Sequence, residues 1–113
     1  MRYREWKLRL EDILEAIATI DRYATGMDYE AFRADGKTVD AVVRNLEIIG
    51  EAARHVPDAV QKRYSDVPWA RMRDMRNVLI HEYSGVSVPI VWQTIRDDLP
   101  PLVPRLRKAL DQG

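Results

Sequence analysis

Apolar residues recur at intervals of three and four positions through almost the whole chain, and this spacing constrains the fold more than any other feature. Residues 3–24 show it first, in a stripe of Trp6, Leu10, Ile13, Leu14, Ile17 and Ile20. Side chains at these intervals lie on one face of an α-helix. No stretch shows the alternation of polar and apolar residues that marks a half-buried strand. The pattern therefore predicts an all-α fold.

The next long helix, which we expect to begin with Thr38 as its N-cap, is apolar on two sides. Its main stripe comprises Val39, Val42, Val43, Leu46, Ile49, Ala53 and Val56, and a weaker one comprises Ala41, Ile48 and Ala52. Such a helix needs two neighbours, either as the central helix of one bundle or as a seam between two chains. Gly50 inside it is unfavourable by about 1 kcal/mol relative to alanine, which suggests close approach of another backbone.

Shorter elements complete the fold. Short helices are predicted after an Asp28 N-cap and over residues 58–64, and a longer one over 69–82. Another follows Ser87, and the last apolar stripe follows a kink or a fresh start near Pro100. We predict an up-and-down bundle of four to five main helices in a single domain, residues 1–113.

Composition excludes several classes of protein. The chain has no cysteine, so disulfides and thiol catalysis are excluded. The charged N-terminus and the lack of a long apolar run indicate no secretion signal and no membrane span, so we expect a cytoplasmic protein. The two histidines lie on different predicted helices without ligand spacing, so we predict no metal site and no cofactor.

The segment 76–83, with the sequence RNVLIHEY, carries the strongest candidate chemistry. On a helix over 69–82, Arg76 lies within an apolar arc of about 140°. An arginine cannot lose its proton, so a buried arginine at this position needs an anion to pair with. That anion could be the carboxylate of Glu47 or Glu51, or a phosphate.

The spacing within this segment sorts its polar residues. Asn77 and His81 are four apart, so the amide can orient the imidazole. Arg76 and His81 are five apart, which places them about 140° apart on an ideal helix. Their convergence on one target needs the reach of arginine, an unwound helix end or a second chain. Tyr83 is aligned with Arg76 if the helix extends that far.

Arginine, histidine and an orienting amide are groups that cleave RNA without a metal. The guanidinium offers paired donors to a phosphate, and histidine moves a proton to or from the 2′-OH or the leaving oxygen. Residues 54–76 contain six basic and three acidic residues. Arg71 and Arg73 are therefore candidate RNA contacts, although mixed charge on solvated helix faces also explains them. We expect His55 to be solvated.

The same residues resemble the HepT-like proteins of the HEPN superfamily, whose signature is R-x4-H-x-Y. The likeness extends to RNLEIIGEAA at 44–53, VPW at 67–69, EYSGV at 82–86 and DLPP at 98–101. It implies an α-helical homodimer with an active site in a cleft along the subunit interface. It also implies a metal-independent ribonuclease toxin of a type VII toxin–antitoxin pair, in which Arg76 and His81 cleave RNA and Asn77 supports them.

The resemblance further implies a partner, an MntA-like nucleotidyltransferase antitoxin that transfers AMP to Tyr83. The alternative is a non-catalytic helical dimer that binds a nucleotidyltransferase or its nucleotide. A bundle with two apolar helix stripes and 18 basic against 18 acidic residues would serve that role without nuclease chemistry. Growth arrest relieved by His81→Ala would favour the toxin.

Overall fold

A computed structural model describes residues 2–81 and 85–112, and the side chains of 5–76 and 86–112. Within them the regular secondary structure is helical, apart from one two-residue ladder. The helices are α1 (Arg2–Ala24), α2 (Tyr29–Ala34), α3 (Gly36–Arg54), α4 (Asp58–Arg63), α5 (Trp69–Leu79), α6 (Val88–Gln93) and α7 (Leu102–Gln112). A π-helix, Thr94–Asp98, follows α6, and the strands β1 (Ile80–His81) and β2 (Gly85–Val86) pair antiparallel. The all-α prediction is confirmed.

Helix α3 occupies the centre, packed against α1 on one side and α5 on the other. Its predicted main stripe is buried, and Leu46 and Ile49 are fully so. On α1, Leu10 and Ile13 are fully buried, as is Met72 on α5. The main apolar stripe is thus buried inside one chain, between two neighbouring helices.

Some helix ends match the sequence prediction and others do not. Asp28 caps α2, its Oδ1 accepting a hydrogen bond from the Ala31 N–H at 2.8 Å. The prediction of Thr38 as the N-cap of α3 is wrong. The helix begins three residues earlier, at Gly36, because Asp35 is its N-cap and the Asp35 carboxylate accepts from the Thr38 N–H at 3.1 Å.

The C-terminal part contains the π-helix. Its wide turn closes through a hydrogen bond from the Leu99 N–H to the Thr94 C=O, at 3.2 Å. The Thr94 hydroxyl donates to the Ile90 carbonyl, at 2.8 Å. Helix α7 then starts afresh at Leu102, directly after Pro100 and Pro101, so the structure has the second of the two predicted alternatives, a kink or a fresh start. Pro104 falls in its first turn, where a missing N–H costs little.

No helix within residues 2–81 and 85–112 is long and apolar enough to cross a membrane.

Candidate functional site

Arg76 lies on α5, on the same face as the residues that the helix buries. Trp69, Met72 and Met75 are buried on that face, and the Trp69 indole N–H donates to the Tyr64 carbonyl at 3.0 Å. These contacts fix the rotation of α5 about its axis. They leave the Arg76 side chain 55% exposed.

The prediction that Arg76 sits in the middle of a buried arc is therefore wrong. The direction of Arg76 on the helical wheel is still between those of Met72 and Trp69. The error lies in the coverage, because more than half of the side chain is exposed in the structure. A solvated guanidinium avoids the cost of burying a charge and can accept an anion from solution.

The carboxylate of Glu51, on α3, forms an ion pair with Arg76. Its Oε2 lies 3.4 Å from Arg76 Nη1, and 44% of its side chain is exposed. The sequence had left Glu47, Glu51 and phosphate open as partners. Glu47 pairs instead with Arg44 on its own helix, at 3.8 Å.

Gly50 is the reason that α3 and α5 come close enough for this pair. A Cβ at position 50 would lie 3.3 Å from the Met72 carbonyl oxygen, 3.4 Å from that of Arg73 and 3.4 Å from the Cβ of Arg76. Two of these three atoms belong to the α5 backbone. The close backbone approach predicted from Gly50 is thus confirmed.

Two basic side chains at the end of the same helix also lie close to the Glu51 carboxylate. His55 Nε2 lies 3.1 Å from Glu51 Oε1, and Arg54 Nη2 lies 4.0 Å from the same oxygen. The pKa of the Glu51 carboxyl is lowered, mainly by the hydrogen bond from His55 and then by the charge of Arg54. His55 was expected to be solvated. It is half-exposed and bound to Glu51, as their four-residue spacing allows.

The backbone leaves the helix between Arg76 and His81, so the predicted helix over 69–82 is too long. Ile80 pairs with Val86 and His81 with Gly85 in the β1–β2 ladder, which supplies the backbone hydrogen bonds that a longer helix would have made. The divergence calculated for an ideal helix does not apply. The side chains of Asn77 and His81, and the whole of Tyr83, lie outside the described residues.

Arg71 and Arg73 point to different parts of the fold. Arg71 is 70% exposed and its Nη2 lies 3.4 Å from Asp98 Oδ1, next to a cleft of about 400 Å³ that Met75, Ile90 and Thr94 also line. Arg73 Nη1 donates to Gln61 Oε1 of α4, at 2.7 Å. These contacts do not bring the two guanidinium groups onto one partner.

The comparison with known proteins concerns almost the whole fold just described. Residues 13–109 match the family described as HepT-like, Ribonuclease HepT-like. The chain belongs to the HepT-like ribonuclease family. The match includes Glu51, Arg76 and the ladder that follows α5.

Individual relatives of this HepT-like chain have similar lengths. It is 42% identical to "Probable ribonuclease HepT" of Thermococcus cleftensis over 105 residues, which is 93% of this chain and 96% of that protein. It is 38% identical to "Putative RNase TTE0752" of Caldanaerobacter subterraneus subsp. tengcongensis, over 91% of this chain and 92% of that one. "Putative RNase MJ1380" of Methanocaldococcus jannaschii is 35% identical, over 98% of each. No solved structure gives a significant match.

Proposed function

We propose that this chain is a metal-independent ribonuclease toxin that cleaves RNA through Arg76 and His81. Its membership of a ribonuclease family supports the reaction class. The observation that carries the assignment of residues is the placement of Arg76. Its guanidinium is half-exposed at the α3–α5 contact, five residues before a histidine at which the chain has already left the helix.

The chemistry needs those two residues, the substrate and a water molecule, which carries the proton that His81 does not. The ribose 2′-oxygen attacks the phosphorus and the bond from phosphorus to the 5′-oxygen breaks. The proton of the 2′-OH is lost to a base, and the 5′-oxygen takes up a proton as it leaves. His81 transfers one of these protons, while Arg76 donates to the phosphate oxygens as their charge grows. The products are a 2′,3′-cyclic phosphate and a 5′-OH.

The remaining predicted residues support this centre. Asn77, next to Arg76 in sequence, orients the His81 imidazole through its amide. Arg71 and Arg73 hold the RNA backbone away from the reacting phosphate, and their separate positions suit a strand that crosses α5. Arg73 is hydrogen-bonded to a neutral glutamine, so its positive charge stays unneutralised by that contact.

The proposal extends to assembly and control. Two copies form a homodimer with the cleft along their interface, which gives the exposed Arg76 an enclosed environment. The partner is an MntA-like nucleotidyltransferase antitoxin that transfers AMP to Tyr83. The modification brings one negative charge and a bulky nucleotide beside the guanidinium that receives the substrate phosphate.

RNA cleavage by the purified protein tests the catalytic assignment. Wild type should cleave total RNA in the presence of EDTA and leave 2′,3′-cyclic phosphate ends. Arg76→Ala and His81→Ala should each reduce the rate by at least about 100-fold, the lower bound usual for a lost charge-stabilising donor and for a lost proton-transfer group. Arg76→Lys should also be poor, because a point charge cannot replace a planar fork of donors.

Circular dichroism of each variant checks that the helices remain. Activity that disappears with the chelator and returns with magnesium would overturn the metal-free mechanism. A fully active His81→Ala would overturn the assignment of the proton carrier. Absence of cleavage by a correctly folded wild type would instead favour the non-catalytic binding module.

A further inference from the structure

Glu51 presents its two carboxylate oxygens to two different elements. Oε1 faces the end of its own helix, where it accepts from His55 at 3.1 Å and lies 4.0 Å from Arg54. Oε2 faces α5 and lies 3.4 Å from Arg76 Nη1. An ionised carboxylate only accepts hydrogen bonds, so Nε2 of His55 must carry a hydrogen in this arrangement. The first oxygen thereby fixes the plane of the carboxylate, and the second holds the arginine.

We propose that Glu51 is a positioning residue, which holds the Arg76 guanidinium by one nitrogen so that its remaining donors face the RNA phosphate. The inference rests on the proposed function, because it gives a role to a residue that acts through Arg76. Among the described residues, Glu51 is the side-chain partner of Arg76. A guanidinium has five N–H donors, so one contact at 3.4 Å leaves a full edge for bidentate contact with a phosphate.

Stability alone does not account for the pair. Both side chains are about half exposed, and exposed ion pairs contribute little to folding because water and salt screen them. A carboxylate next to a phosphate-binding arginine also repels the substrate. Its presence is therefore unfavourable for RNA binding as such, and its benefit must lie in the orientation of Arg76 when the phosphate reacts.

The ionisation of Glu51 fits an anchor better than a proton carrier. Its pKa is lowered by His55 and Arg54, so the carboxylate stays charged at neutral pH and is a weak base. The same two residues restrain it on the α3 side. We thus separate the roles of the two histidines: His55 orients Glu51, and His81 moves the proton.

The test is steady-state cleavage of a defined oligoribonucleotide by Glu51→Ala, Glu51→Gln and the control Glu47→Ala. Glu47 lies one turn earlier on the same helix and contacts Arg44 rather than Arg76. We expect Glu51→Ala to lower kcat by about 10- to 100-fold, the effect typical of a misplaced catalytic group. KM should stay constant or fall, because a repulsive charge is removed. Glu51→Gln should be intermediate, since its carbonyl still accepts from Arg76.

Two further measurements identify the route of the effect. The loss caused by Glu51→Ala should shrink in an Arg76→Lys background, because residues that act as a unit are not additive. The Nε–Hε NMR signal of Arg76 should move and sharpen in Glu51→Ala, as the side chain gains mobility, and stay unchanged in Glu47→Ala. Both effects are absent if Glu51 only tethers two helices.

The outcomes separate this inference from the proposed function. If wild type cleaves RNA and Arg76→Ala does not, but Glu51→Ala matches Glu47→Ala, the positioning role is overturned. A raised KM at constant kcat also overturns it, because that result describes a binding residue. If wild type cleaves no RNA, the proposed function fails, and the NMR signal alone decides whether Glu51 fixes Arg76.

Discussion

The Arg76 side chain meets two opposing requirements. It must remain charged and accessible to a phosphate, yet a side chain with four rotatable bonds is disordered unless something holds it. A single long contact to Glu51 restrains the side chain, and 55% of the side chain stays exposed. A tighter, bidentate pair would have consumed the donors that the substrate needs. The geometry of the ion pair therefore suits an arginine that also binds a ligand.

Tyr83 is the residue at which we predict control by the antitoxin. Incubation of the chain with its cognate nucleotidyltransferase and ATP should add AMP to Tyr83 and stop RNA cleavage. Tyr83→Phe should retain cleavage but resist inhibition, because the acceptor oxygen is gone. Mass spectrometry of proteolytic fragments locates the added mass.

Tyr23→Phe is the matched control, since Tyr23 is an exposed tyrosine on α1, with 45% of its surface accessible. This variant should be modified and inhibited as wild type is. AMP found on another residue, or on none, would refute the assignment of Tyr83.

The sequence predicted the contacts of some of these residues better than those of others. It named Arg76 and offered Glu51 as one partner, because a cation near an apolar stripe needs an anion. It missed the contact between His55 and Glu51, although their four-residue spacing on one helix was a usable signal. It also overestimated the burial of Arg76, because a helical wheel gives direction without showing how far the neighbouring helix reaches.

At the scale of the elements, the α3–α5 contact determines where the site forms. Gly50 lets the α5 backbone approach, and Glu51 comes next in sequence. One pair of adjacent residues thus sets both the spacing of the two helices and the ion pair that joins them. The end of α5 at Leu79 was not predictable from periodicity, because the β1–β2 ladder that replaces it depends on a pairing partner further along the chain.

We predict that Gly50→Val destabilises the protein by about 1 to 3 kcal/mol, the range usual for overpacked contacts. The added methyl groups meet carbonyl oxygens of α5, which move only if the whole helix shifts. Gly50→Ala should have a smaller net effect, since a gain of about 1 kcal/mol in helix propensity offsets part of the crowding. Urea denaturation followed by circular dichroism gives both values.

Gly36→Val provides the comparison. It also lies in α3, but a Cβ there meets nothing within 4 Å. Its effect should therefore be limited to the change in helix propensity, which is slightly favourable because valine ranks above glycine. Equal destabilisation by the two valine variants would show that the close approach at Gly50 has no energetic weight.

At the scale of the whole molecule, periodicity predicted the bundle well, because burial of one helix face is a local property of sequence. Its four longest helices match the long apolar stripes, and α3 lies in the middle. The oligomeric state was harder to predict from the sequence. The two stripes of α3 fit either a central helix or a subunit seam. Within one chain the main stripe and Ala52 are buried, whereas Ala41 and Ile48 of the weaker stripe stay partly exposed. The main stripe consequently no longer argues for a dimer.

We nevertheless predict a homodimer, from the resemblance described in the sequence analysis and from one residue of the weaker α3 stripe. Ile48 is only partly buried, and it lies three residues before Glu51, so an apolar surface adjoins the Glu51–Arg76 pair. Sedimentation at micromolar concentration should give twice the chain mass of 13.1 kDa. Ile48→Glu should shift the protein toward monomer with its helices intact.

Leu8→Glu is the control, because Leu8 is an exposed apolar residue, 59% accessible, on a different helix, α1. This change should leave the sedimentation unaltered. A single 13.1 kDa species for the wild-type chain would contradict the dimer.

The π-helix has a consequence for how the length of this chain can vary. Its closing hydrogen bond spans five residues, from Leu99 back to Thr94, where an α-helical turn spans four. Buried Ile95 and Leu99 lie on either side of the additional residue, and both face the core. Removal of one exposed residue between them, such as Arg96 or Asp97, would give an ordinary α-helical turn with the same core. In an alignment of related sequences, this turn is where a single-residue gap can be accommodated without disturbing α3, α5 or the arginine between them.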